Sequence, residues 1–382
     1  MELDQLVREA MEALNGGEPD AAREKLHAAL ELDGNRPDLL HALGALELQR
    51  GAPGEARPLV ERALALLDSG AVPEALAMRP HFQLSLATIA EAEDEPGQAE
   101  AAYRSVLADD PRHAEALAGL GRLQLALGKL DGGLATLQAA LAIVMERDAQ
   151  AEAQGMREFI HAVSSFREQP ARDLLEAHRD RYCAFFDHHA AQMEAKGWVA
   201  EAARMRRSAD GGIEPDLPEG ARPYAATRID LVDPSTGQGG LVGDQPMLVA
   251  LPGLEALTRA PVLFPWPGLP FEVLVSSQCP WDHLPVQVML AAGDPLELVD
   301  PVIGAWYKAG FEGRFGSANA GRFHFVSPPD IRSGTGVVYI LDLGRAAIGA
   351  VNDLLERLVA LHAQHPVRRV ILGRGHLPEP GR

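Results

Sequence analysis

The sequence predicts a multidomain chain of mixed class, an N-terminal α-helical solenoid followed by a C-terminal α+β domain. Three observations predict it. Four stretches near the N-terminus align on a 34-residue ruler, beginning at Leu3, Pro37, Pro80 and Ala114. Composition changes at Asp210, where a Gly- and Pro-rich stretch gives way to β-type runs. From Pro285 to Leu372, strand and helix patterns then follow one another in the order β-α-β-β-α-β. A chain of 382 residues has room for two or three domains, at roughly 100–200 residues each.

The repeats come first. The first and third intervals are 34 residues and the second is 43, so nine extra residues fall near Ser69–Ala77. Repeat position 8, where two helices cross, holds Ala10, Gly44, Ala87 and Gly121. Position 20 holds Ala22, Ala56, Ala99 and Gly133, and position 27 holds Ala29, Ala63, Val106 and Ala140. Position 24, a larger knob, holds Leu26, Val60, Tyr103 and Leu137. Small residues let helix backbones approach, and the large ones fill the gaps between them. This pattern resembles the tetratricopeptide repeat family, whose unit is a helix–turn–helix of this length. The resemblance covers about residues 3–147. Repeat 1 departs from it with Glu9 at position 7, where an apolar residue is usual.

After the repeats, residues 148–209 read as capping and linker helices. Met156, Phe159, Ile160 and Val163 share a face of a helix over 148–166, suited to closing the open end of a solenoid. Pro170 starts a helix to about Lys196, Gly197 stops it, and a shorter helix is expected over 198–207. Asp210–Pro223 is a linker. The α+β domain takes residues 222–382, with β-type runs at Ala226–Val232, Met247–Leu251, Pro261–Trp266 and Phe271–Ser276. Residues 222–280 yield no topology. From Pro285, alternating Val286, Val288 and Leu290 make a strand, Pro295–Ala309 a helix, and Phe323–Val326 a second strand. Val337–Leu343 is a third strand, Ala346–Gln364 an amphipathic helix, and Val367–Leu372 the last strand. This order over about 285–373 is the ferredoxin-like arrangement, a fold that hosts many functions.

Composition narrows the function classes. Hydrophobic residues make up 47% and charged residues 23%, ordinary for a globular protein. No apolar run reaches 18 residues, so no membrane span is expected. The acidic start lacks the pattern of a signal peptide. Cys183 and Cys279 are the two cysteines, too few for a disulfide framework or a cysteine-rich zinc site. A cytoplasmic chain without cofactor or metal is the expectation. Residues 1–150 hold 13 Lys and Arg against 26 Asp and Glu. That field repels nucleic acid and anionic lipid and favours neutral or basic partners.

The resemblance implies a protein-interaction scaffold or adaptor whose concave groove is lined by the first helix of each repeat. Position 2 gives Asp4, Asp38, His81 and Glu115. Positions 5 and 6 give Val7 and Arg8, His41 and Ala42, Leu84 and Ser85, Ala118 and Gly119. Positions 9 and 12 give Met11 and Leu14, Ala45 and Leu48, Thr88 and Glu91, Arg122 and Leu125. The Lys and Asn set of the family's carboxylate-clamp variant is missing, so capture of a chaperone tail is not expected. The lining suits a helix or extended peptide with apolar and basic side chains, drawn in by Asp4, Asp38, Glu91 and Glu115. A second copy of the chain, or its own C-terminal half, is the other possible occupant.

The alternative class is an enzyme that recruits a peptide or protein through the repeats. Cys279-Pro-Trp-Asp-His283 puts a thiol, a carboxylate and an imidazole within five residues, and a cysteine nucleophile needs a base. His283 or His324 would be that base, although such pairs usually lie far apart in sequence. Other motifs read as structure. Asp187-His188-His189 and His178 share a helix, but 11 residues span about 16 Å, too far for one metal. Gly237-Gln-Gly-Gly-Leu-Val-Gly243 lacks the residues of a phosphate loop. Arg322-Phe-His-Phe-Val326 faintly resembles an RNA-stacking strand, yet residues 284–382 hold 10 basic against 9 acidic residues and no basic footprint. Leu174-Leu-Glu-Ala-His-Arg179 is somewhat similar to a helix of repeat-linked bacterial glycosyltransferases, without the sugar-nucleotide lobes they need.

Overall fold

Prolines set the helix starts in the first half of the computed structural model. Pro19, Pro37, Pro53, Pro80 and Pro96 each stand in the first two positions of a helix, where a missing N–H costs nothing. The structure describes residues 2–147, 149–195, 199–200, 205–207, 213–215, 231–232, 239–240, 255–311, 314–315, 323 and 325–376. Eight repeat helices follow in order: α1 (Glu2–Asn15), α2 (Pro19–Leu32), α3 (Pro37–Gln49), α4 (Pro53–Asp68), α5 (Arg79–Ala92), α6 (Pro96–Asp109), α7 (Ala114–Ala126) and α8 (Leu130–Glu146). The insertion between repeats 2 and 3 contains a six-residue 3-10 turn, Pro73–Met78, whose Ala75 packs into the core beside Val60 and Phe82.

Each first helix ends the same way. Repeat position 15 has a positive φ in all four repeats: Gly17 at 73°, Gly51 at 75°, Asp94 at 59° and Gly128 at 79°. The next residue then closes a six-residue backbone loop, as Glu18 to Ala13, Ala52 to Glu47, Glu95 to Ala90 and Lys129 to Gln124. This is the Schellman stop, which satisfies otherwise orphaned carbonyls. The close crossing at position 8 is real: a Cβ on Gly44 would sit 2.8 Å from Val60 Cγ2, and one on Gly121 2.7 Å from Leu137 Cγ. Both clashes are with position 24 of the same repeat. Arginine at position 21 ties each of the first two repeats to the next. Arg23 holds the buried Glu47, and Arg57 donates to Glu93 and, at 2.6 Å, to Glu95.

The chain divides into two units. One takes residues 1–123 and 135–150 with the last two residues, and the other takes 124–134 and 151–380. In the second, α9 (Gln150–Phe166) and α10 (Arg172–Glu194) pack on a mixed sheet. Phe166 meets Phe264 edge-on at 4.8 Å, and Arg179 Nε donates to the Ala346 carbonyl at 2.7 Å. Short paired strands follow: β1 (Val199–Ala200), β2 (Met205–Arg207), β3 (Ile213–Pro215), β4 (Leu231–Val232) and β5 (Gly239–Gly240). The helix expected over 198–207 is therefore replaced by strand pairing at 199–200 and 205–207. The Met247–Leu251 run lies outside the described residues.

The main sheet holds β6 (Leu263–Pro265), β7 (Glu272–Ser276), β8 (Leu284–Leu290), β9 (Phe325–Val326), β10 (Asp330–Ser333), β11 (Gly336–Asp342) and β12 (Val367–Leu372). Their order is β10-β11-β8-β12-β7-β6, with β9 on β11. All neighbours are antiparallel except β12 with β7. Every residue of β8 is buried, as a central strand covered on both faces must be. Crossing helices are α11 (Pro295–Leu298), α12 (Asp300–Phe311) and α13 (Gly349–His362). The helix expected over 295–309 is thus broken at Val299, beside Pro301, which cannot donate a helical bond. The β10–β11 hairpin is an addition to the expected strands, with Asp330 opposite Val338 and Ser333 opposite Gly336. Trp281 Nε1 and Trp306 Nε1 donate to the carbonyls of Gly344 and Ala350, both at 2.8 Å, which satisfies two fully buried indoles.

Candidate functional site

Helices α3, α5 and α7 supply two clusters on the first-helix face of the repeats. In the first, His41 on α3 reaches Ser85 on α5, Nε2 to Oγ 2.7 Å, and lies against Phe82 with ring centroids 4.7 Å apart. Burial pushes the His41 imidazole below its usual range, and the exposed His81 adds to that shift. Leu84 is buried and forms floor, while Thr88 is exposed. Asp38 is engaged by the residue two before it, the last of repeat 1: Arg36 grips both its oxygens at 2.9 and 2.5 Å. Asp4 and Arg8 are exposed on α1.

The second cluster surrounds Tyr103. This ring comes from α6, the outer helix of repeat 3, and is 4% exposed. It packs against the first helix of repeat 4 because α7 has glycine at position 6. A Cβ on Gly119 would lie 2.3 Å from Tyr103 Cε1. The phenol donates to Glu91 Oε1 at 2.7 Å. Burial first, then the Glu91 carboxylate, push the phenol well above its ordinary range; Glu115 adds to this and Arg122 opposes it. The hydroxyl lies against Gly119, where a Cβ would be 2.6 Å from it, and Glu115 and Arg122 stand one turn before and one turn after that glycine on α7. Among the described residues, neither Glu115 nor Arg122 forms an ion pair or side-chain hydrogen bond. Tyr103 was legible as a packing knob only. The sign that it packs against α7 was the glycine opposite it.

The enzyme candidates fare differently. Cys279 is 0% exposed, and burial pushes its thiol far up, away from the thiolate a nucleophile needs. His283 is half-buried at the end of a 3-10 turn, Trp281–His283. His324 lies outside the described residues, as do the side chains of His188 and His189. Asp187 pairs with Arg345 at 3.2 Å. Phe323 is core, stacked on Phe315 and 4.5 Å from Trp306 by centroids. Among the described residues, no group of three His, Cys, Asp or Glu side chains is placed to hold a metal, and no helix is long and apolar enough to cross a membrane.

His178 is the buried histidine of the second unit. Its Nε2 faces the Ser277 carbonyl at 3.4 Å, and its Nδ1 is buried without a partner. Burial lowers its pKa, and Arg181 adds to that against the Ser277 carbonyl. The unfolded chain then takes up this proton at a higher pH than the fold does. Stability of this unit is expected to fall as pH drops below about 6.5, by at most about 1.4 kcal/mol per pH unit. All four tryptophans lie in this unit, so urea midpoints by tryptophan fluorescence at pH 7.5 and 5.5 read it. His178→Gln is expected to flatten the slope, and an unchanged slope would refute the assignment.

Two family profiles, both described as tetratricopeptide repeat, match residues 7–77 and 90–155. No curated protein matches the sequence. Among solved structures, a Thermobaculum terrenum O-GlcNAc transferase mutant is 21% identical over 38% of this chain and 26% of its own, with a TM-score of 0.32. The chain thus spans about a quarter of that protein's length. MamA protein is 17% identical over 44% of this chain and 85% of its own, TM-score 0.35. A tetratricopeptide repeat protein from Parabacteroides merdae is 19% identical over 46% and 65%, TM-score 0.35.

Proposed function

We propose, from the premise that this chain belongs to the tetratricopeptide-repeat family, that it is a scaffold or adaptor that binds a partner peptide or helix in the groove of its repeats. Tetratricopeptide repeats mediate protein–protein interactions, and such repeats indicate protein partners. The observation that carries the reading is that Glu115 and Arg122 on α7 are exposed and have no ion pair or side-chain hydrogen bond among the described residues, while Thr88 on α5 is exposed as well. Elsewhere in the repeats the prominent charges are spent on one another, as in Arg23–Glu47, Lys25–Glu9 and Arg57–Glu93. Side chains left without internal partners on one face are available to another chain. A cytoplasmic location goes with this reading.

The C-terminal unit is read as ferredoxin-like over about 285–373, a support for assembly or a second contact. The run β12-β8-β11-β10, antiparallel throughout, supports it; β7 and β6 extend the sheet past β12.

The test is affinity capture from native extract with three full-length baits: wild type, Thr88→Trp, which fills the groove, and Glu115→Lys. The expected result is a protein retained by wild type and lost or reduced with both variants. Identical capture by all three would remove the groove from the function.

A further inference from the structure

The repeat groove carries a cluster in which the direction of charge recognition is legible. Resting on the groove reading above, we propose that an arginine side chain of the partner pairs with the Glu91 and Glu115 carboxylates beside the Tyr103 hydroxyl, with Arg122 as its internal competitor. The geometry is particular to repeats 3 and 4. Position 6 is Arg8, Ala42 and Ser85 in the other repeats, and Gly119 in repeat 4. Without a Cβ there, an aromatic ring lies against the backbone of the groove helix. Its hydroxyl holds Glu91 in place through the 2.7 Å hydrogen bond. Glu115 and Arg122 are seven residues apart on α7, two turns or about 10 Å, and so share a face.

Arginine is the cation that suits these parts. Its planar guanidinium offers forked donors that two carboxylates can share. The wider field agrees in sign, with 26 acidic against 13 basic residues in 1–150. Asp38 attracts less than Glu115 does, since Arg36 already holds both its oxygens. Attraction therefore concentrates in repeats 3 and 4 rather than along the whole groove.

The experiment uses the full chain and two synthetic decapeptides of alternating leucine and arginine, or leucine and the neutral isostere citrulline. Calorimetry is expected to show the arginine peptide binding about tenfold more tightly than the citrulline peptide. Glu115→Gln should cut that ratio about fivefold, Arg122→Ala should raise it about threefold, and Asp38→Asn should lower it by less than about twofold. Equal binding of both peptides, or equal loss with Asp38→Asn and Glu115→Gln, overturns the arginine site. Thr88→Trp separates the two readings. If it abolishes binding that does not distinguish arginine from citrulline, the groove stands and the arginine site falls. If neither peptide binds wild type, both readings fail.

Discussion

Gly119→Ala will destabilise the repeat unit by about 3 kcal/mol, although the same change in an open helix stabilises by about 1 kcal/mol. The sign reverses because the new methyl would meet Tyr103 Cε1, Cζ and Oη at 2.3, 2.4 and 2.6 Å. No rotation of a ring that is 4% exposed clears those distances in place. Tyr103 must leave its site, and its hydroxyl must leave Glu91. The repeats contain their own remedy. Position 24 is leucine in repeats 1 and 4, and Ala42 packs against the cluster that holds Leu26. Tyr103→Leu with Gly119→Ala recreates that leucine–alanine combination, so the double variant should recover most of the loss. Gly304→Ala is the control, since nothing lies within 4 Å of a Cβ there. Urea unfolding followed by circular dichroism measures all four proteins. A stabilised Gly119→Ala, or a double variant no better than the single, would show that the ring is not where the groove description needs it.

What could be read in advance divides along the same line. The repeat phase was legible because position 8 and position 24 touch within one repeat, so Gly44–Val60 and Gly121–Leu137 write a short-range constraint into sequence spacing. Position 15 was equally local, a positive φ answered by Gly17, Gly51 and Gly128. The groove residues were named, but their pairing was not. Arg36 closing on Asp38, and Tyr103 on Glu91, depend on which rotamer wins among several nearby charges. In the second half, β8, β11 and β12 were legible as apolar runs. Their neighbours β6 and β7 were not assigned to the sheet, because the parallel β12–β7 pairing joins residues about a hundred apart. Nothing local in the sequence records such a pairing. Cys279 misled for a related reason: a reactive-looking five-residue string says nothing about what packs over it.

What packs over Cys279 is the backbone of Gly373, and Gly373→Ala should cost about 4 kcal/mol or more. Two independent penalties add there. The φ of 106° is one that side-chain-bearing residues rarely adopt. The new Cβ would also lie 2.7 Å from the Gln278 carbonyl oxygen and from Ser276 Cβ, and 2.9 Å from Cys279 Cβ. Gly373 cannot move aside. Its N–H donates to the Pro285 carbonyl at 2.7 Å, its carbonyl accepts from Gln287 Nε2 at 3.1 Å, and Arg374 N–H donates to Gln278 at 2.8 Å. Gly268→Ala isolates the first penalty. Its φ is 96° with nothing within 4 Å, so it should cost only about 1–2 kcal/mol. Thiol labelling separates the outcomes. Wild type and Gly268→Ala should keep Cys279 protected without denaturant, whereas Gly373→Ala should expose it along with early loss of buried-tryptophan fluorescence. Labelling of Cys279 in folded wild type would mean that this backbone does not seal the thiol, and the enzyme reading would regain its nucleophile. Protection in wild type, lost only with Gly373→Ala, makes Cys279 a packing residue held under the end of β12.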